Sequence, residues 1–166
     1  MMRGSLTVIG SGIKFVSHMS LESKAYIEQA DVVLMLVSEK HLEEWITSLN
    51  NNSINLSKKF YHGDQKRIKI YRDIVDYIIN RVKKDQQVCF VTYGHPGIFA
   101  QAPHTAIKET KALGYTAKMT PGISAEDCLL ADLAIDPGDH GCQQHEVTQF
   151  LVEQAKFDLH SDLILW

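Results

Sequence analysis

The chain has 166 residues, 45% hydrophobic and 22% charged, with 17 basic against 20 acidic residues and a net charge of −3. That length fits one domain of the usual roughly 100–200 residues, and the composition excludes a disordered or low-complexity chain. The charge balance leaves no strongly basic footprint for nucleic acid, and no apolar run approaches the ~20 residues of a membrane span.

Cys89, Cys128 and Cys142 are spaced too unevenly for a disulfide framework or a CxxC pair. The opening segment MMRGSLTVIGSG has no signal-peptide h-region or cleavage site. The expectation is a protein of a reducing compartment, cytoplasmic in the simplest reading.

Short β-rich runs alternate with helical patterns. Leu6-Thr7-Val8-Ile9 is apolar and β-branched and stops at Gly10-Ser11-Gly12, a buried strand running into a tight loop. Ser20 is placed to cap a helix through Ala30. Residues 31–37 lack period-2 alternation and read as a second strand buried on both faces. A helix over 39–49 and a short strand over 54–56 follow.

The helix expected over 67–84 carries Tyr71, Ile74, Val75, Ile78 and Val82 on one stripe. Residues 88–93 form the clearest strand and run into Gly94-His95-Pro96-Gly97. A helix over 99–113 closes on Gly114, a C′ glycine. Another strand spans 115–119. Pro121-Gly122 then turns into a helix with Ser124 as N-cap and Asp127 at N3. Residues 136–144 are rich in turn formers and read as a surface excursion.

This alternation predicts an α/β fold with a mainly parallel sheet and helices on both faces. The run Leu163-Ile164-Leu165-Trp166 looks like the beginning of a further strand. Residues 1–160 are therefore read as one α/β domain and 161–166 as the start of a strand leading onward.

Glycine clusters follow three strands: Gly10-Ser11-Gly12, Gly94-His95-Pro96-Gly97 and Pro121-Gly122. In open α/β sheets ligands bind beyond the carboxyl ends of the strands, and glycine there admits close backbone approach. Any one loop could be an ordinary βα turn; three on one sheet edge would line a crevice.

Phe15 stands where a dinucleotide fingerprint needs its third glycine, and no GxxxxGK[ST] occurs. His140, Cys142, His145 and Glu146 are close in sequence but match no common zinc spacing, so no metal is expected. No nucleophile sits in a GxSxG-like context.

Arg67 and Tyr71, four apart, share a helix face, and Tyr61 lies in the loop before it. An Arg beside phenols favours the phenolate and can hold an oxyanion. Equally, Tyr71 could belong to the apolar stripe and Arg67 to solvent.

Taken together, Gly10-Ser11-Gly12, Tyr93-Gly94-His95-Pro96-Gly97-Ile98-Phe99 and Met119-Thr120-Pro121-Gly122-Ile123-Ser124-Ala125 resemble the N-terminal domain of the tetrapyrrole-methylase superfamily, the class III S-adenosylmethionine-dependent methyltransferases. Tyr-Gly-His-Pro-Gly, the stretch over 121–138 and Tyr61/Arg67/Tyr71 are most similar to the borosin-type peptide backbone α-N-methyltransferases.

The resemblance implies two α/β domains with S-adenosylmethionine in the cleft between them. It implies a homodimer and, in bacterial members, often a separate precursor peptide as substrate. Family enzymes continue into a second domain of comparable size, and residues 160–166 look like the crossing into it. The cofactor residues implied are Gly10, Gly12, Tyr93, His95, Pro96, Gly97, Ile98, Phe99, Ser124 and Ala125.

The catalytic residues implied are Tyr61, Arg67 and Tyr71. An amide nitrogen is a poor nucleophile because its lone pair is delocalised into the carbonyl. One tyrosine would remove the amide proton, aided by Arg67, and the other would donate to the carbonyl oxygen. Residue order does not say which does which. A tetrapyrrole or other small-molecule methyltransferase and a non-catalytic cofactor- or partner-binding domain are the alternatives.

Overall fold

The computed structural model describes residues 4–166; residues 1–3 of the opening segment lie outside the described residues. The chain divides into two compact units, the first ending at Ala125 and the second running over Glu126–Trp166.

The first unit runs β1 (Ser5–Gly10), α1 (Leu21–Gln29), β2 (Val32–Leu36), α2 (Lys40–Leu49), β3 (Ser53–Asn55), α3 (Leu56–Phe60), α4 (Arg67–Val82), β4 (Gln87–Thr92), α5 (Gln101–Ala112) and β5 (Thr116–Met119). The five strands form one parallel sheet in the order β3-β2-β4-β1-β5. The fourth strand of the chain thus lies between the first two.

Period-2 alternation divides the side chains between two apolar layers. Leu6, Val8, Val32, Leu34, Val88, Phe90 and Ala117 pack with Leu56 of α3, the α4 stripe, and Ala102 and Ala106 of α5. Ile9, Val33, Met35, Cys89 and Val91 pack with Ile27 of α1 and Leu42 and Ile46 of α2. Burial on both faces explains why these strands read as continuous apolar runs.

Local chemistry sets the helix ends. Ser20 Oγ accepts from the Ser23 amide at 3.0 Å, capping α1. Asn50 Nδ2 donates to the carbonyls of Ile27 and Ala30 at 2.9 and 2.8 Å, tying the end of α1 to the end of α2. The side chain of Asn55 accepts from the Ser57 and Lys58 amides and turns β3 directly into α3, a helix the sequence pattern did not predict because it is a single capped turn and a half. Ile70, Ile74, Val75, Ile78, Ile79 and Val82 form the buried stripe of α4; Tyr71 sits half-buried at its margin. Gly114 takes φ +80°, the left-handed C′ role expected of it.

The second unit comprises α6 (Ala125–Leu133, its first residue belonging to the first unit), α7 (Pro137–His140), β6 (Cys142–His145), α8 (Val147–Val152) and β7 (Asp162–Leu165). Residues 136–144, expected as a surface excursion, hold α7 and most of β6. The Asp136 side chain accepts from the Gly138 amide at 2.8 Å, Pro137 opens the helix, and Gly141 at φ +78° turns the chain out of it. The terminal run finds a partner: β7 pairs parallel with β6 from Cys142↔Asp162 to His145↔Leu165. None of the residues of this unit is buried.

Candidate functional site

Because β4, β1 and β5 are adjacent, the three glycine loops that follow them leave the same edge of the sheet side by side. Gly12 and Gly94 exchange backbone hydrogen bonds at 3.2 and 3.1 Å, and the Ser11 amide donates to the Thr92 carbonyl at 2.8 Å. A Cβ on Gly10 would lie 2.1 Å from the Gly94 carbonyl oxygen, and one on Gly122 2.9 Å from that same oxygen. These glycines therefore let the loops close on one another, backbone to backbone.

The loop after β4 is pinned at Gly97. His95 Nδ1 accepts from the Gly97 amide at 2.9 Å, and His104 Nε2 of α5 donates to the Gly97 carbonyl at 2.8 Å. Phe99 is held at φ +49°, a conformation uncommon for a residue with a side chain. Tyr93, Ile98 and Phe99 are exposed, and Pro96 lies against Gly10. On the third loop Ser124 is buried and Ala125 begins α6. The side chain of His95 is thus engaged by its own loop, and what the segment turns outward is backbone and apolar surface.

Tyr61 follows α3, Arg67 opens α4, and Tyr71 lies one turn along it. The structure brings the two phenols to one cleft, close enough for Tyr71 and the Arg67 guanidinium both to act on Tyr61. Burial pushes the Tyr61 phenol up from its ordinary value, and the charge and hydrogen bond of Tyr71 push it the same way. Arg67 pulls it down by less, so the net direction is up. Arg67 itself is exposed.

Both tyrosines line a cleft of about 200 Å³ with Leu36, Thr92, Tyr93 and the 98–103 segment. The cleft therefore joins the tyrosine pair to the loop after β4. Two polar groups at this end of the sheet escaped the sequence reading. Thr92 and Thr120, 6% and 5% exposed, each bury a hydroxyl without a hydrogen-bond partner among the described residues. The available signal was a threonine on the face of β4 where alternation calls for another apolar residue.

The histidine-rich segment has other duties. His140 ends α7, and Cys142 and His145 lie on β6. Glu146 caps α8 by accepting from the Gln149 amide at 2.8 Å, which with the Thr148 backbone holds its carboxyl below the usual range. Among the described residues, no group of three or more His, Cys, Asp or Glu could hold a metal ion. No helix among them is long and apolar enough to cross a membrane.

A family model described as Tetrapyrrole (Corrin/Porphyrin) Methylases matches residues 5–163. Among curated proteins, the methyltransferase/ribosomally synthesized cyclic peptide omphalotin A precursor of Omphalotus olearius is 39% identical over 98% of this chain and 39% of its own length. A methyltransferase/type I borosin cyclic peptide precursor of Coprinopsis marcescibilis is 41% identical over 98% of this chain and 41% of its own. The chain thus spans about two-fifths of the curated relatives it matches.

Among solved structures, a putative cobalamin synthesis related protein of Corynebacterium diphtheriae superposes with a TM-score of 0.70 at 14% identity, over 99% of this chain and 72% of that one. Uroporphyrin-III-C-methyltransferase of Thermus thermophilus gives 0.60 at 17% identity, over 81% and 53%. At these identities the superpositions establish a common α/β fold.

Proposed function

The chain belongs to the tetrapyrrole (corrin/porphyrin) methylase family, and from that premise we propose that it carries the cofactor loops and the acceptor-activating residues of an S-adenosylmethionine-dependent methyltransferase acting on peptide backbone amides. The observation that carries the acceptor class is the placement of Tyr61 and Tyr71 together, with Arg67 near, in the cleft that runs to the loop after β4. The curated relatives, named as methyltransferases and ribosomally synthesized cyclic peptide precursors in one, support the same reading.

The rim fits the cofactor. Gly10, Gly12 and Gly94 let the loops pack backbone to backbone into one continuous rim. The orphaned Thr120 hydroxyl stands at the base of the third loop. When bound, S-adenosylmethionine supplies an electrophilic methyl group, so no protein nucleophile is required.

The protein's own task is to make an amide nitrogen reactive. Tyr61, whose phenol is pushed up, keeps its proton and donates to the substrate carbonyl oxygen, stabilising the charge that builds there. Tyr71, one turn along α4 from Arg67, accepts the amide proton.

Tyr71→Phe removes the base and leaves the rim untouched. Methyl transfer to a pool of capped hexapeptides is expected to fall at least about 100-fold, within the range of general-base contributions, while calorimetric affinity for S-adenosylhomocysteine is retained. Wild-type turnover by this variant, or preferential methylation of a porphyrinoid pool by the wild type, overturns the peptide reading.

A further inference from the structure

Val88, Phe90 and Thr92 occupy alternate positions of β4 on the side that packs against α4 and α5. The first two seal the apolar core. The third falls where that core ends and the cleft with Tyr61 and Tyr71 opens. Its backbone is fixed by pairing with Gly10 on one side and Leu36 on the other, and its carbonyl accepts from Ser11.

The residue is 6% exposed, and its hydroxyl has no partner among the described residues. A valine would fill the same space without the free-energy cost of a stranded hydroxyl. Orphan status alone marks no site, since Thr110 shares it. Thr110, however, lies on the buried face of α5, whereas Thr92 lines an opening that also holds the two phenols. A hydroxyl can donate one hydrogen bond and accept two, and the opening that Thr92 lines is the place from which a partner can be supplied.

We propose that Thr92 is a binding residue for the methyl acceptor, donating its hydroxyl hydrogen bond to a carbonyl oxygen of a peptide seated against Tyr61 and Tyr71. The assignment rests on the peptide reading above and deepens it. An acceptor that leaves this hydroxyl unpaired is discriminated against, because a site built around a hydrogen bond rejects analogues that lack it.

The test uses the protein as wild type, Thr92→Val and Thr92→Ser. With no ligand, Thr92→Val is expected to raise the melting temperature, because it removes a stranded hydroxyl. Affinity for S-adenosylhomocysteine is expected to stay within about twofold in both variants. With tritiated S-adenosylmethionine and the capped hexapeptide pool, Thr92→Val is expected to raise KM about tenfold or more, as loss of one hydrogen bond requires, and Thr92→Ser to restore it.

A lowered melting temperature in Thr92→Val overturns the assignment, since the hydroxyl would then have a structural partner. A tenfold loss of S-adenosylhomocysteine affinity overturns it in favour of the cofactor. Unchanged peptide kinetics in Thr92→Val overturn Thr92 alone. A wild type that binds S-adenosylhomocysteine and methylates no peptide overturns the peptide reading and this assignment with it, and it differs from the other outcomes because the defect appears before any substitution.

Discussion

In the unit that ends at Ala125, both faces of five parallel strands are sealed under helices, and side chains such as Phe90, Ile9 and Ile46 have no exposure at all. In Glu126–Trp166, two strands and three helical segments form without one buried residue, while Leu151, Val152 and Leu159 are 67%, 77% and 84% exposed. The second unit is held by polar bonds instead. The Trp166 amide donates to the His145 carbonyl at 3.0 Å, the Val147 amide to the Trp166 carbonyl at 2.8 Å, and Asp136 and Glu146 cap their helices. Regular secondary structure is thus no measure of where the stability lies. Hydrogen bonds against water contribute about 0.5–1.5 kcal/mol net each, and a two-stranded sheet alone is marginal.

The contrast is broken most severely through a core aromatic. Phe90→Ala is expected to cost about 3–5 kcal/mol, the usual range for a fully buried phenylalanine, measured by denaturant unfolding. Phe150→Ala, whose half-exposed ring lies 5.2 Å from His145 and 5.8 Å from Phe157, is expected to cost only about 0.5–1.5 kcal/mol. Equal losses would erase the distinction between the units.

Cysteine chemistry sharpens it. Burial pushes the Cys89 thiol up to about 12, whereas Cys142 is only partly covered and its thiol is raised by desolvation with Glu126 and Asp162 nearby. Iodoacetamide at mildly alkaline pH is expected to modify Cys142 in the folded chain and Cys89 only through opening. Comparable rates would place the core of the first unit in doubt. The folded chain also holds the Cys89 proton more tightly than the unfolded chain does. Stability from that thiol is present below its ordinary 9.0 and is lost as pH rises towards about 12. The smallest effect belongs to Leu151→Ser, expected within about ±0.5 kcal/mol because the side chain is already in water.

Most elements of the first unit were legible because each announces itself locally. Ser20 caps α1, the α4 stripe repeats every three to four residues, and Gly114 closes α5. Less legible were α3, set by one Asn55 cap, and β6, whose Gln143 and Gln144 carry no apolar pattern and become a strand only through pairing with β7. The Tyr61/Arg67/Tyr71 group could be suspected from spacing, since Arg67 and Tyr71 share a helix face. The nearness of the two phenols could not, because Tyr61 comes to it from the far side of a loop.

From its residues alone, this chain determined an alternating α/β architecture, three glycine-opened corners and a tyrosine–arginine group, since caps, periodicity and glycine act within a few residues. Tertiary structure decided that β4 inserts between β1 and β2, so that corners far apart in the chain close on one another at Gly10, Gly94 and Gly122. It also decided that Tyr61 keeps its proton more tightly than a free phenol and that the Thr92 hydroxyl is left without a partner. Strand order and burial are non-local outcomes of which surfaces leave water together, and no short stretch of sequence encodes them.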